Sequence, residues 1–419
     1  MESTPKSLRL QLAICGRINA GKSTLLNLIS GQNTAITSDE RGTTTDVVEK
    51  TMELRPLGAA VLLDTAGVDD DTPLGKQRFQ KTLNALDRAD AVILVAVPGD
   101  WGEPEQEVIS LAGERKIPVV TVFNFRSTPL AEEEITTFSQ RENISSVIQV
   151  CAADQSQRSA FLDKLVSILL ELLPESRTTP PLLNDLLTPD SLVVLMTPID
   201  SQAPKGRLIM PEVMAIRDAL DGNASVVIAK ENAFPGIYRK LNEKPALIVC
   251  DSQVVHKMTE SSDPEIPQTT FSILMSRLKG DIEEFAAGCA AIESLRPGDK
   301  VLIAEACTHH AADNDIGKVQ IPKLLQKKCG GMLDFTFTAG ADYPDDLQSY
   351  KLIVHCGGCM LNRKAMLNRL RTAKNAGVPI CNYGMCISAC KGVLKKVLSP
   401  FPAALEKYLS ELDKHSKAM

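Results

Sequence analysis

The stretch Gly16-Arg17-Ile18-Asn19-Ala20-Gly21-Lys22-Ser23-Thr24 constrains this chain more than any other. It fits the phosphate-binding loop pattern G-x-x-x-x-G-K-[S/T]. Leu8 to Cys15 alternates and then runs apolar, which predicts a strand entering the loop. Ser23 to Ser30 carries apolar residues at helical spacing, and Gly31 stands where a helix would stop. Strand, glycine loop and helix aim backbone N–H groups and a helix N-terminus at phosphate oxygens. Gly16 and Gly21 let the backbone wrap closely, and Arg17, Asn19, Ala20 and Thr24 complete the nucleotide-binding stretch. In such a loop Lys22 would reach the β- and γ-phosphates, and the Ser23 hydroxyl would bind Mg²⁺.

With 419 residues, the chain has room for about two to four domains. Its net charge of −6 argues against a dominant nucleic-acid-binding surface. The N-terminus lacks an apolar signal core, and no apolar run approaches the roughly 18 residues of a membrane span. The expectation is a cytoplasmic protein with no membrane or nucleic-acid partner. In a reducing compartment disulfides are disfavoured, so the 11 cysteines need another account. Cys15 and Cys250 end apolar strands and read as small buried hydrophobes.

Past the first helix, Ala35 to Asp46 has no apolar period and reads as a loop ending Arg41-Gly42-Thr43-Thr44-Thr45-Asp46. A Thr of such a loop binds Mg²⁺ and the γ-phosphate in nucleotide switches; Thr44 is the choice, with Thr43 the near alternative. Ala59 to Leu63 is an apolar strand, followed at once by Asp64-Thr65-Ala66-Gly67. Asp64 would hold the Mg²⁺ shell, and the Gly67 N–H would meet the γ-phosphate. Asp90 to Val97, Ile117 to Phe123 and Ser146 to Val150 read as further strands, with a helix over Pro104 to Arg115. Strands alternating with helices predict a parallel α/β sheet.

The loop, the Thr switch and Asp64-Thr65-Ala66-Gly67 resemble the translation-factor-related GTPases of the Era/TrmE group. Members with Asn at the place of Asn19 and a switch like Gly42-Thr43-Thr44-Thr45-Asp46 are often potassium-activated. The resemblance implies K⁺ at Asn19, neutralising charge near the β- and γ-phosphates in place of an arginine finger. The guanine-reading motif of the group is Asn-Lys-x-Asp. Here Asn124-Phe125-Arg126-Ser127 keeps the Asn and lacks the Lys and the Asp, and the later Ser-Ala motif appears as Cys151-Ala152-Ala153. Guanine selectivity is expected to be weaker than phosphate binding.

Pro174 to Pro189 is proline-rich and predicts a linker. Ser191 to Thr197, Ser225 to Ala229 and Ala246 to Cys250 read as strands. Met210 to Leu220 reads as a helix, and Tyr238 to Asn242 as the end of a short one. This is a small α/β module without a catalytic constellation, structural or dimerising. Ser261 to Gln268 reads as a second linker, and Ile273 to Leu295 as one long amphipathic helix closed by Pro297-Gly298.

Val301 to Ala306 predicts a strand followed by Cys307-Thr308-His309-His310, and Tyr350 to Val354 a strand followed by His355-Cys356-Gly357-Gly358-Cys359. Ligands sit outside the C-terminal ends of strands in open α/β sheets, so the two groups could face each other across one crevice. Three cysteines on loops suit an iron–sulfur cluster with one exchangeable site; two or three cysteines plus histidine equally suit tetrahedral zinc. Cys381, Cys386 and Cys390 read mainly as packing residues near the site.

An Era/TrmE-like GTPase joined to C-x-H…H-C-x-x-C resembles the HydF-type maturation GTPases of [FeFe]-hydrogenase along its whole length. The resemblance implies a P-loop GTPase domain over residues 1–175, an α/β dimerisation domain over 186–262 and an α/β cluster-binding domain over 268–419. It implies a [4Fe–4S] cluster on Cys307, Cys356 and Cys359, with His309 or His355 near an exchangeable fourth iron ligand. It further implies a GTP-gated homodimeric scaffold, slow in hydrolysis. Such a scaffold receives a di-iron precursor from two radical-SAM maturases and delivers it to apo [FeFe]-hydrogenase. A TrmE-like tRNA-modifying GTPase and a zinc-stabilised signalling GTPase are the alternatives.

Overall fold

Continuous rather than alternating apolar runs belong to strands buried on both faces, and the central strands of the observed sheets are built that way. The computed structural model describes residues 5–31, 48–69, 75–126, 128–173, 180–198, 208–306, 315–340, 343–344, 346–358 and 361–417. The chain divides into two compact units, residues 1–179 and 180–419.

The first unit has strands β1 (Leu10–Cys15), β2 (Val48–Leu54), β3 (Gly58–Asp64), β4 (Ala91–Ala96), β5 (Val119–Asn124) and β6 (Val147–Val150). Its helices are α1 (Lys22–Ser30), α2 (Gly75–Leu86), α3 (Glu103–Glu114), α4 (Glu132–Glu142) and α5 (Arg158–Leu172). The strands form one sheet in the order β2-β3-β1-β4-β5-β6, parallel except for β2. Alternate residues of β1 serve opposite cores. Leu12 and Ile14 pack with Leu25, Leu28 and Leu165, while Ala13 and Cys15 pack with Leu86, Val108 and Ala112. The β2 edge is absent from the sequence reading; its alternation of exposed Glu49, Thr51 and Glu53 with more buried neighbours is the signal for it.

The second unit holds two wholly parallel four-stranded sheets. β7 (Leu192–Met196), β8 (Ser225–Ala229), β9 (Leu247–Cys250) and β10 (Gln268–Thr270) take the order β10-β9-β7-β8. β11 (Lys300–Glu305), β12 (Asp334–Ala339), β13 (Leu352–His355) and β14 (Ile380–Asn382) take the order β12-β11-β13-β14. The helices are α6 (Met210–Asp221), α7 (Phe234–Tyr238), α8 (Val255–Ser261), α9 (Phe271–Lys279), α10 (Ile282–Cys289), α11 (Ile321–Cys329), α12 (Arg363–Asn375), α13 (Tyr383–Cys390), α14 (Leu394–Val397) and α15 (Pro402–Lys417). One continuous apolar core runs through both sheets.

Three expectations are corrected here. The long helix over Ile273 to Leu295 is two helices, α9 and α10. Gly280 ends the first, and Asp281 caps the second, accepting from the backbone N–H groups of Glu283 and Glu284 at 2.9 and 3.2 Å. Arg363 Nη1 then donates to the carbonyls of Arg277, Leu278 and Gly280, which the end of α9 leaves without helical partners. The linker expected over Ser261 to Gln268 runs into β10, whose Gln268, Thr269 and Thr270 are all fully buried. In the proline-rich segment, Leu182 and Leu183 are buried in the second unit's core. Among the described residues no helix is long and apolar enough to cross a membrane.

Phe285, 1% exposed, packs where α10 begins. Phe285→Ala should lower unfolding stability by about 3–5 kcal/mol. Urea unfolding followed by circular dichroism checks this, as a lower midpoint at unchanged m-value.

Candidate functional site

The loop between β1 and α1 forms a cradle closed by its own residues. Lys22, 9% exposed, donates through Nζ to the carbonyls of Gly16 at 3.0 Å and Arg17 at 2.6 Å. Asn19 sits in the left-handed region at φ 63°, which Asn tolerates. Gly21, at φ 94°, must be glycine on two counts. A Cβ there would stand 2.1 Å from the Asn124 amide nitrogen. That amide donates to the Ala20 carbonyl at 2.9 Å, and its oxygen accepts from Ala152 N–H at 3.0 Å. Asn124, at the end of β5, thereby ties the phosphate loop to the loop after β6.

Asp64 closes β3 at 1% exposure and accepts from the Ser23 hydroxyl at 2.8 Å. Its other oxygen is buried with no hydrogen-bond partner among the described residues. Burial raises the Asp64 pKa, against the Ser23 hydrogen bond and the Lys22 charge; burial likewise lowers that of Lys22, against Asp64. A hydroxyl and a carboxylate with an unused oxygen suit a hard cation such as Mg²⁺. Gly67 lies against Ile18, and Ile18 N–H donates to Asp69 at 2.7 Å. Thr43, Thr44, Thr45 and Asp46 lie outside the described residues.

The Arg17 side chain is not turned to the nucleotide loop. Its guanidinium forks onto Glu105 at 2.8 and 2.9 Å, and Glu105, 1% exposed, also accepts from Gly102 N–H at the start of α3. Glu105 was not legible as a site residue; three residues after Gly102 it reads as a helix-capping glutamate, which it also is. Phe125 is half-buried, and Ser127 lies outside the described residues.

The second site lies at the C-terminal ends of β11 and β13. The two strands pair in parallel with Ala304 opposite His355. Cys356 N–H donates to the Ala304 carbonyl at 2.9 Å, and the Cys356 sulfur accepts from Ala306 N–H at 3.2 Å. Cys307 follows Ala306 directly in sequence; Cys307, His309 and Cys359 lie outside the described residues. Gly358, at φ 59°, turns the chain where a Cβ would stand 2.4 Å from Met366. Among the described residues, no three His, Cys, Asp or Glu side chains converge as metal ligands.

His355 corrects the expectation of an imidazole beside an exchangeable iron. It is fully buried, with Nδ1 2.7 Å from the Cys356 carbonyl and Nε2 2.8 Å from Arg369 Nη1. Arg369 can only donate, so Nε2 accepts and Nδ1–H donates. Burial, with Arg369 beside it, pushes the imidazole down to about 3. Both nitrogens are committed to holding the chain. Arg369 also donates to the Gly340 carbonyl and stacks 5.3 Å from the Tyr343 ring centre.

Cys289, Cys381, Cys386 and Cys390 form a row of thiols hydrogen-bonded in that sequence between α10, β14 and α13. Burial raises the pKa values of Cys289 and Cys381, and hydrogen bonding along the row raises those of Cys386 and Cys390. Cys289, Cys381 and Cys386 are fully buried and pack in the apolar core as small hydrophobes.

Residues 283–400 match a family model described as the hydrogen maturase F tetramerization domain. Residues 182–280 match the hydrogen maturase F dimerization domain, and residues 11–125 a 50S ribosome-binding GTPase domain. The tRNA modification GTPase MnmE of Legionella pneumophila (strain Corby) is 37% identical over 121 residues, covering 27% of this chain and 26% of the relative. The GTPase Der of Deinococcus deserti is 34% identical over 125 residues, covering 29% of this chain and 28% of the relative. The chain thus spans about a quarter of the length of these curated relatives. The crystal structure of Aquifex aeolicus Era bound to GDP.AlF4⁻ is 16% identical, covering 55% of this chain and 98% of that one at a TM-score of 0.35.

His355→Ala should destabilise the second unit by about 3 kcal/mol, because it strands the Cys356 carbonyl and a buried Arg369 donor. Urea unfolding of the apo-protein checks it; a loss below about 1 kcal/mol would show that the imidazole is not holding the chain.

Proposed function

The chain belongs to the HydF-type hydrogenase-maturation GTPases, and from that membership we propose that it is a cluster-bearing scaffold gated by GTP. In this reading it binds a [4Fe–4S] cluster, accepts a di-iron precursor from two radical-SAM maturases and delivers it to apo [FeFe]-hydrogenase. The observation that carries the proposal is the Cys356 sulfur accepting the Ala306 N–H across the paired ends of β11 and β13, with Cys307 the next residue along.

In the first unit, the Gly16–Thr24 loop cradles the phosphates, and Lys22 turns its ammonium from loop carbonyls to the β- and γ-phosphates. Ser23, Asp64 and Thr44 would hold Mg²⁺, with the Gly67 N–H at the γ-phosphate, and Asn19 would hold K⁺. The work of these residues is positioning and charge neutralisation, the main needs of phosphoryl transfer. Asn124 links that loop to the base side through Ala20 and Ala152.

In the second unit, Cys307, Cys356 and Cys359 would hold the cluster. Backbone N–H donation to sulfur, of the kind Ala306 makes to Cys356, stabilises a thiolate ligand. With three thiolates the bound cluster supplies one iron open to exchange, and His309 remains a candidate beside it. The matched domains suit a homodimer capable of further association. The likeness to MnmE covers about a quarter of this chain and of the relative, and tRNA modification is not carried over from it.

Lys22→Ala should cut GTP hydrolysis by several orders of magnitude while leaving iron and sulfide content unchanged. The wild type should hydrolyse faster in KCl than in NaCl of equal ionic strength. Phosphate release assays check both, and a variant with unchanged hydrolysis would remove the loop from the active site.

Cys356→Ser should lose the cluster after anaerobic reconstitution, as should serine variants of Cys307 and Cys359, since two thiolates are too few to retain it. Iron and sulfide analysis checks this; full content in any of the three would defeat the ligand assignment.

A further inference from the structure

The phosphate loop already holds an anionic oxygen of the chain's own. Loops of this kind aim backbone N–H groups at phosphate oxygens. In this one Ile18 N–H, between Gly16 and Lys22, donates to the Asp69 carboxylate at 2.7 Å. None of the phosphate, Mg²⁺ or K⁺ contacts proposed for the loop uses that carboxylate. The segment that carries it is laid along the loop by further bonds. Thr65 donates through its backbone N–H and its hydroxyl to the Ile14 carbonyl at 3.2 and 2.9 Å, and Val68 N–H donates to the Gly16 carbonyl at 3.3 Å.

The carboxylate stands where a triphosphate and a diphosphate differ. Gly67 is the residue whose N–H is assigned to the γ-phosphate. A Cβ built on it would lie 2.8 Å from the Ile18 nitrogen and 3.1 Å from Asp69 Oδ1. Lys22, assigned to the β- and γ-phosphates, feels the Asp69 charge, and so does Arg17. Asp69 is exposed, so its side chain can swing into solvent without opening a core. A γ-phosphate brings negative charge to the side of the loop where this carboxylate is docked, and like charges that close repel. GDP brings no group there.

We infer that Asp69 is a specificity-determining residue of the nucleotide site, an internal anion that competes with the γ-phosphate and so biases the loop toward the diphosphate. The inference rests on the γ-phosphate placement proposed above. With GDP bound, the carboxylate keeps its bond to Ile18. With GTP bound, it leaves the loop, and the γ-phosphate takes the Gly67 and Lys22 contacts. A ligand's apparent affinity falls by the fraction of protein in which its site is open. Only the triphosphate needs the carboxylate to leave, so only its affinity is lowered.

The test uses the full-length protein as wild type, Asp69→Ala and Asp69→Asn. Each is titrated calorimetrically, with Mg²⁺ and K⁺ present, against GDP and against the β,γ-imido analogue of GTP. Ala removes both the charge and the acceptor; Asn keeps an acceptor oxygen and removes the charge. Affinity for the analogue should rise about tenfold in both variants, the size of one charge-assisted hydrogen bond that no longer has to be broken. Affinity for GDP should stay within about twofold, as for an ordinary surface substitution. Unchanged affinity for the analogue, or a rise shared equally by GDP, would overturn the inference and leave the GTPase reading intact. Weaker binding of the analogue would also overturn it, since Asp69 would then support the triphosphate. A rise in the Ala variant alone would do the same, because side-chain bulk and not the anion would be limiting. A wild type that binds neither nucleotide sinks this inference together with the phosphate-loop reading.

Discussion

Parallel strands buried on both faces leave only their ends for polar chemistry, and this constraint shapes the whole molecule. A strand such as β1 sends alternate side chains into two cores, so its apolar residues have no surface to share with a ligand. The carboxyl ends are different. There the chain must leave the sheet, and backbone groups and side chains come free together. The phosphate loop leaves β1, Asp64 closes β3 and Asn124 closes β5. In the second unit, Cys356 follows the end of β13 beside that of β11. Both candidate sites follow from the same architectural rule.

Among the described residues, each site is tied together by hydrogen bonds, and by different means. Around the phosphate loop the ties are hydrogen bonds to backbone: Lys22 to Gly16 and Arg17, Asn124 to Ala20, Asp69 to Ile18. The ion pair between half-buried Arg17 and buried Glu105 fastens the loop to α3. Around Cys356 the ties are buried groups with charge or strong dipoles. His355 and Arg369 lock one side of the turn, and Lys279 locks the other. Burying such groups is costly unless each finds partners, which confines them to places where fixed geometry matters.

What the sequence disclosed follows from how local the physics is. The phosphate loop was legible because glycine, lysine and serine at fixed spacing answer a local backbone demand. Most of the parallel strands were legible from continuous apolar runs; β10, which is polar, and β12, which alternates, were not. The break at Gly280-Asp281 was not, because apolar periodicity continues from α9 into α10 and only the cap at Asp281 interrupts it. β14 is three residues long, too short for any period to show. His355 looked like a ligand because its role depends on Arg369, 14 residues away. Lys279 carries no signal in the sequence, since only the fold reveals that its side chain is buried.

The account joins a nucleotide switch to a carrier of an iron precursor, and delivery is its central claim. The direct measurement is hydrogenase activity recovered when anaerobically reconstituted protein, produced together with the two radical-SAM maturases, is mixed with apo [FeFe]-hydrogenase. The account predicts activity that rises with the amount of loaded protein and is absent when protein produced without the maturases is used. Cluster-loaded protein from cells with both maturases that restores no activity would contradict it.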